Sequence, residues 1–158
     1  MKALTIVAAM SLSSPAMADG WFSAGIGGTY IDATTTGRSG NRVRTSLYTA
    51  ITGGDAFLAR IRASGFGYNG NSAIETAGLI GMRVGQERDS ALFVGYSRLD
   101  DISETEDNTN GLSVEWIYAP LNRGKFSFEF STYGNFNGDH DFGGIQIGMR
   151  FGSMGKQE

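Results

Sequence analysis

Polar and apolar residues alternate along most of the chain downstream of Asp19. A period of two is typical of β-strands that have one apolar and one polar face. The alternating segments are about ten residues long and are separated by turn-rich stretches, as expected of strands that cross a membrane at a tilt. The pattern predicts eight strands, at residues 21–32, 43–52, 56–66, 74–85, 91–99, 111–119, 125–135 and 142–151. No apolar run in this region reaches the length of a membrane-spanning helix.

The apolar residues of each predicted strand occupy alternate positions, so they share one face. In a membrane barrel this face must point towards lipid. The set comprises Phe22, Ala24, Ile26, Tyr30, Val43, Leu47, Ile51, Phe57, Ala59, Ile61, Ala63, Ile74, Ile80, Met82, Val84, Leu92, Val94, Tyr96, Leu112, Val114, Trp116, Tyr118, Phe126, Phe128, Phe130, Ile145, Ile147, Met149 and Phe151.

The opposite face carries the charged residues of the predicted strands. They are Arg44, Arg60, Arg62, Glu75, Arg83, Glu115, Glu129 and Arg150, together with Gln146 and many small residues. The interior of an eight-stranded barrel is only wide enough for side chains to fill, so these charges should form an ion-pair network and not line an open pore. We expect Arg60 and Arg62 to meet Glu115 and Glu129, because all four lie near the centres of their strands. The predicted fold class is therefore all-β, an eight-stranded antiparallel up-and-down transmembrane β-barrel with a lumen filled by polar side chains.

The connections between the predicted strands support a bacterial outer-membrane barrel. The seven predicted connections lie at 33–42, 53–55, 67–73, 86–90, 100–110, 120–124 and 136–141. Taken in this order, long polar loops alternate with short turns. Outer-membrane barrels have long outside loops and short periplasmic turns, so the odd-numbered connections should face outwards. Aromatic residues near the strand ends are consistent with girdles at the membrane interfaces. These residues are Trp21, Tyr30, Tyr48, Tyr96, Trp116 and Tyr118.

Residues 1–18 have the features of an export signal: Lys2, an apolar centre, and small residues at positions 16 and 18. We expect cleavage after Ala18, which leaves residues 19–158 as a single barrel domain. With Lys2 removed, 12 basic and 16 acidic residues remain, and this excess of negative charge argues against a nucleic-acid partner.

The amino-acid composition excludes two classes of protein. Glycine supplies 24 of the 158 residues, and there are two prolines and no cysteine. The chain is therefore neither a disulfide scaffold nor an enzyme with thiol chemistry.

The mature sequence as a whole resembles the small eight-stranded outer-membrane proteins of the OmpA/OmpX type. The last predicted strand, FGGIQIGMRF at 142–151, resembles the signal by which such proteins are recognised by the barrel-assembly machinery, with Phe151 as its terminal aromatic residue. Gln146 stands where that signal usually has glycine, and residues 153–158 extend past the aromatic residue. Proteins of this shape include adhesins, serum-resistance proteins, structural barrels and lipid A-modifying enzymes, so the resemblance does not select one function.

His140 is the only histidine, and it lies in a predicted outside loop between two aspartates. Lipid A deacylases of this architecture are similar in size and strand number, but their His-x-Ser pair is absent, since Asp141 and Phe142 follow His140. A Ser-His-acid arrangement could still be assembled with a loop serine such as Ser39 or Ser72. A histidine flanked by carboxylates in a glycine-rich loop is more often a solvated turn residue.

Two charged loops are further candidate sites. The segment 100–110 contains five acidic residues and could bind calcium or magnesium, but it lacks the spacing of an EF-hand, and a hydrated loop is the more common outcome. Arg38 and Arg42, with Arg44, could contact phosphates of outer-membrane lipid or lipopolysaccharide. We predict no cofactor and no bound metal.

Three functions remain open at this point. The first is a non-enzymatic outer-membrane barrel that presents four extracellular loops, as a structural element or as a contact site for a host or cell-surface ligand. The second is a barrel enzyme that modifies lipid A or phospholipid and uses His140. The third is a soluble periplasmic ligand-binding barrel, similar to the lipocalin architecture, whose apolar residues would point inwards.

Overall fold

The computed structural model describes residues 20–31, 42–54, 57–68, 71–85, 89–101, 109–119, 126–137 and 141–152. These residues form eight strands: β1 (Gly20–Ile31), β2 (Arg42–Gly54), β3 (Phe57–Tyr68), β4 (Asn71–Val84), β5 (Ser90–Asp101), β6 (Thr109–Tyr118), β7 (Phe126–Phe136) and β8 (Phe142–Gly152). Each strand coincides with a predicted one to within a few residues. None of the described residues belongs to a helix long and apolar enough to cross a membrane.

The strands close into a single barrel in which each strand pairs with the next and β8 pairs with β1. Every pairing is antiparallel. The predicted fold class, an all-β up-and-down barrel of eight strands, is confirmed. Both ends of the described chain lie at the same end of the barrel, because the number of strands is even. We call the end with Gly20 and Gly152 the terminal end, and the opposite one the far end.

The register of the strands sets the height of the barrel wall. A path that follows paired residues around the barrel from Phe126 returns to β7 at Phe136, ten residues further along the strand. With a rise of about 3.3 Å per residue and about 4.8 Å between strands, this shift implies a strand tilt of about 40°. Ten residues on such a strand climb about 25 Å, which is the height of the apolar band in outer-membrane barrels.

The outer surface of the barrel carries the apolar set predicted from the sequence. Every member of that set is exposed or half-buried, with Phe57 at 79% and Ile80 at 70% exposure among the most open. Phe126, Phe128 and Phe130 all point outwards from β7. The hypothesis of a soluble ligand-binding barrel required these residues to line the interior, and it is therefore wrong.

The interior of the barrel has three layers. Charged side chains occupy the middle, as predicted, but an apolar cluster closes each end, which the sequence pattern does not reveal. At the terminal end the cluster consists of Trp21, Leu58, Ala77, Leu79, Ala91, Phe93, Ile117 and Ala119. At the far end it consists of Ile31, Phe66, Ala73, Leu99, Tyr133 and Phe142. The lumen is thus filled along its length by packed side chains.

The predicted alternation of long loops and short turns is wrong at two connections. The third connection is only 69–70, because β3 and β4 continue to pair as far as Tyr68 and Asn71. The sixth, 119–125, is as long as the fifth, 102–108. The sequence pattern overestimates the third connection because Gly67 and Ser72 occupy outward positions near the far end, and such residues are typical of loops.

Candidate functional site: the ion-pair cluster of the lumen

Five charged side chains meet in the middle of the lumen, and we call them the lumen cluster: Arg60, Arg62, Glu75, Glu115 and Glu129. All five residues are at most 1% exposed. They project inwards from β3, β4, β6 and β7, because each occupies an inward position of its strand. The strand alternation that sends their apolar neighbours outwards therefore brings these charges together.

Arg60 is the centre of one half of the cluster. Its Nη2 donates to Oε1 of Glu115 at 2.9 Å and to Oε1 of Glu129 at 2.8 Å, and its Nε donates to Oε2 of Glu115 at 3.2 Å. Its Nη1 donates to the hydroxyl of Thr52 at 2.9 Å and to that of Ser23 at 3.4 Å. A guanidinium with this many acceptors keeps its charge in a confined interior, because each lost contact with water is replaced.

Arg62 is the centre of the other half. Its Nη2 donates to Oε1 of Glu75 at 2.7 Å, and its Nη1 donates to Oε2 of Glu115 at 3.0 Å. The guanidinium lies 4.2 Å from the ring centroid of Tyr133, whose hydroxyl is 2.6 Å from that of Thr29. Glu115 thus accepts hydrogen bonds from both arginines and joins the two halves.

Glu129 has two aromatic partners besides Arg60. Nε1 of Trp21 donates to its Oε2 at 3.0 Å, and the hydroxyl of Tyr48 donates to its Oε1 at 3.5 Å. Trp21 and Tyr48 are 3% and 4% exposed, so their predicted place in membrane girdles is wrong. Each lies next to an outward-facing residue of its own strand, so the alternation of side chains directs both rings inwards.

Glycines on β1 and β8 make room for this arrangement. Gly148 faces the lumen next to Tyr48, and a Cβ at Gly148 would collide with the Tyr48 hydroxyl and with the backbone of Ala24 on β1. The pairing of Gly25 with Gly148 therefore leaves the space that the tyrosine ring needs to reach Glu129.

The remaining predicted lumen residues lie outside the cluster. Gln146 accepts a hydrogen bond from Ser131 at 3.2 Å and donates to Ser64 at 3.4 Å. The guanidinium of Arg150 lies 5.7 Å from the ring centroid of Trp21. Arg44 and Arg83 are half-buried inward residues near the far and terminal ends, respectively.

The other candidate sites lie mostly beyond the part of the chain that the structure describes. His140, Ser39, Arg38 and residues 102–108 fall outside it, as do residues 1–19. The described part of the acidic segment includes Asp100, which forms an exposed ion pair with Arg98 at 2.7 Å. Ser72 is exposed at the far end. Among the described residues, no three histidine, cysteine or acidic side chains are placed to hold a metal ion.

Aromatic side chains form a band on the outer wall near the terminal end. The rings of Trp116 and Tyr118 stack with centroids 6.0 Å apart, and Phe130 packs edge-on against Trp116. Phe151 contacts Phe126 and Phe22 on the neighbouring strands, at centroid distances of 5.3 Å and 6.4 Å. Rings at this level are typical of the interface between hydrocarbon and headgroups.

Comparisons with known proteins agree with the architecture. No protein-family model and no curated protein matches the sequence. The structure is similar to that of Neisserial surface protein A, with a TM-score of 0.60 and 6% identity over 84% of this chain and 96% of that one. It is similar to Ail, the attachment invasion locus protein of Yersinia pestis, with a TM-score of 0.54 and 11% identity over 84% and 97% of the two chains. It is also similar to the N-terminal β-barrel domain of Pseudomonas aeruginosa OprF, with a TM-score of 0.52 and 10% identity over 82% and 97%.

The membrane-facing surface, the filled lumen and these similarities point to one architecture. The chain has the fold of the small eight-stranded outer-membrane β-barrels.

Proposed function

We propose that this chain is a non-enzymatic β-barrel of the Gram-negative outer membrane that presents four extracellular loops at its far end. The loops are the connections β1–β2, β3–β4, β5–β6 and β7–β8. Their role is to contact a host or cell-surface ligand, or to support the membrane structurally. The rigid barrel holds the loops, whose sequence is free to vary without disturbing the wall.

The observation that carries this proposal is the inverted polarity of the barrel. Large apolar side chains such as Phe57, Ile80 and Leu92 face outwards around the wall, while the charges of the lumen cluster are buried. Such a surface is stable only in contact with hydrocarbon, because in water all of its apolar area would be exposed to solvent, which is unfavourable. The charges of the lumen cluster pair with one another and with hydroxyl groups, so the lumen serves as a packed core.

The similar structures support a surface role. One is named as a surface protein and another as an attachment invasion locus protein. A shared fold is compatible with several functions, and this parallel supports a contact role without selecting its ligand.

Delivery and assembly form part of the proposal. Residues 1–18 act as a signal peptide removed after Ala18. The last strand, β8, ends with the outward-facing Phe151 and presents the segment that the barrel-assembly machinery recognises. Lipid and lipopolysaccharide of the outer membrane are the partners of the outer wall.

A matched pair of cysteine variants tests location and orientation, since the chain contains no cysteine of its own. Ser72→Cys lies at the far end and Ser90→Cys at the terminal end. A membrane-impermeant maleimide should label Ser72→Cys on intact cells, and should label Ser90→Cys only after the outer membrane is permeabilised. Labelling in the reverse order would overturn the orientation, and recovery of the protein in the soluble fraction would overturn the membrane location.

A second experiment separates the contact role from the structural one. A strain that lacks the protein is compared with one whose barrel has glycine-serine replacements of residues 32–41 and 102–108. A contact role predicts loss of host-cell or cell-cell binding in both strains, with an intact detergent barrier in the loop variant. A structural role predicts a leaky membrane only when the barrel is missing.

A further inference from the structure

One ion pair faces outwards from the otherwise apolar wall of the barrel. Arg98 and Asp100 occupy outward positions of β5, and Nε of Arg98 donates to Oδ1 of Asp100 at 2.7 Å. Their side chains are 54% and 41% exposed. Among the strand residues whose side chains the structure describes, no other charged side chain points outwards. Charges on a lipid-facing surface are rare and are usually paired within an interface, so this pair marks its face as a candidate contact surface.

The ion pair lies at a level where the wall is apolar elsewhere. Tyr96, Leu112 and Phe136 are paired in turn across β5, β6 and β7, and each step to the next strand climbs about 3 Å towards the far end. Phe136 is therefore about 6 Å above Tyr96, and Arg98, two residues beyond Tyr96 on a tilted strand, is about 5 Å above it. Phe136 is 57% exposed. A bilayer that lies across the barrel axis and covers Phe136 therefore also reaches Arg98.

The wall next to the ion pair consists of small residues. Thr76 on β4 is the register partner of Arg98, and Gly78 is the next outward residue of β4 towards the terminal end. Gly65 faces outwards from β3, and a Cβ at Gly65 or at Gly78 would have no atom within 4 Å. Positions of this kind allow another backbone to approach closely. The wall beside the charges therefore has room for a second protein surface.

The charges favour a second copy of the chain over lipid as the partner of this face. Lipid hydrocarbon carries no charge that could pair with either residue, and a lipid phosphate at Arg98 would be repelled by the adjacent Asp100 carboxylate. A second copy carries both charges at the same level of its wall. A two-fold axis along the membrane normal brings equal levels of the two walls together, so each guanidinium meets a carboxylate of the other copy. The face is therefore complementary to itself.

We propose that the chain forms a two-fold symmetric dimer in the membrane through the outer faces of β4 and β5. Arg98 of each copy pairs with Asp100 of the partner subunit, and the two pairs form a network of four charges at the interface. Thr76 and Gly78 lie beside this network and let the two walls touch. The dimer places the far-end connections of the two barrels side by side.

Cysteine cross-linking tests the interface, since the chain has no cysteine of its own. Thr76→Cys lies on the proposed interface. Thr45→Cys is the matched control, because Thr45 is exposed in the far-end half of β2, away from that face. In isolated outer membranes, a short bis-maleimide should join two copies of Thr76→Cys but not two copies of Thr45→Cys. Absence of a Thr76→Cys dimer, or equal cross-linking of both variants through random collision, would overturn the proposal.

Charge variants in the Thr76→Cys background test the pairing itself. Arg98→Glu leaves two negative charges on the face, and Asp100→Lys leaves two positive ones. Either variant alone should lose the cross-linked dimer, and co-expression of the two should restore it as a mixed dimer. Variants that still cross-link alone, or a mixture that stays monomeric, would contradict the pairing. The mobility of unboiled samples on gels checks that each variant is folded.

Reconstitution separates a protein partner from a lipid one. The Thr76→Cys barrel, refolded into phosphatidylcholine vesicles without lipopolysaccharide, should still form the cross-linked dimer. Cross-linking that returns only when lipopolysaccharide is added would assign the contact to lipid phosphates and would overturn direct pairing between the two copies.

Discussion

Replacing Glu129 with leucine tests the energetic role of the lumen cluster. The substitution preserves most of the side-chain volume but removes the acceptor of three groups: Nη2 of Arg60 at 2.8 Å, Nε1 of Trp21 at 3.0 Å and the hydroxyl of Tyr48 at 3.5 Å. Breaking a buried ion pair by removing one partner costs about 3–5 kcal/mol. Arg60 retains its two bonds to Glu115, so we place the loss at the lower end, about 3 kcal/mol.

The measurement is equilibrium urea unfolding of the barrel refolded into lipid vesicles, followed by circular dichroism and by the mobility of unboiled samples on gels. Thr132→Leu is the matched control, because Thr132 is exposed on the lipid-facing side of the same strand. We expect the control to unfold like the parent or at slightly higher urea. Glu129→Gln keeps an acceptor oxygen and should fall between the parent and Glu129→Leu. If Glu129→Leu unfolds within about 0.5 kcal/mol of the parent, the ion pairs do not stabilise the barrel and the reasoning fails.

Three further predictions concern the wall, the lumen packing and the alternative function. Ile147→Arg lies at the middle of β8 and should destabilise the barrel by about 2–4 kcal/mol, because the cost of a charge on the lipid face is greatest at the centre of the membrane. Phe57→Arg lies at the first residue of β3 and should cost at most about 1 kcal/mol. Equal losses in the same urea assay would contradict the membrane placement. Gly148→Ala should lower the free energy of unfolding by about 1–3 kcal/mol, because its methyl group enters occupied lumen space. Gly78→Ala is the control and should be nearly neutral, because nothing lies within 4 Å of the added methyl group. Thermal denaturation compares the two variants, and a neutral Gly148→Ala would refute the packing. His140→Ala should leave lipid A and phospholipid composition unchanged in mass spectra, and an altered acylation pattern would favour the enzyme.

The strands and their faces are predictable because the geometry of a membrane barrel imposes a period of two on the sequence. Residues such as Phe128 and Glu129 must point in opposite directions, and one side has to be lipid. The same alternation is sufficient to assign Arg60 and Glu115 to the interior. Strand boundaries are predictable only where apolar residues continue to the end of the strand.

The contacts inside the lumen are less predictable, because they depend on register. The partnership of Arg62 with Glu75 follows from the pairing of β3 with β4, which the sequence pattern does not specify. Inward apolar residues such as Phe93 and Leu58 are not predicted, because apolar side chains as a class are assigned to the lipid-facing surface. Trp21 and Tyr48 are misplaced for a similar reason: an aromatic residue near a strand end is typical of an interfacial anchor, although the position of each in the alternation directs it into the lumen.

The pairing of β1 with β8 brings together parts of the chain that are more than 120 residues apart, as in the Trp21–Gly152 pair. Until β8 has been synthesised, β1 has no neighbour on one side, and a partial sheet in hydrocarbon would hold unsatisfied backbone amides and carbonyls along both margins. Insertion of one strand at a time during synthesis would therefore be strongly unfavourable in free energy. The barrel is therefore complete only once β8, the last of the eight strands to be synthesised, has paired with β1.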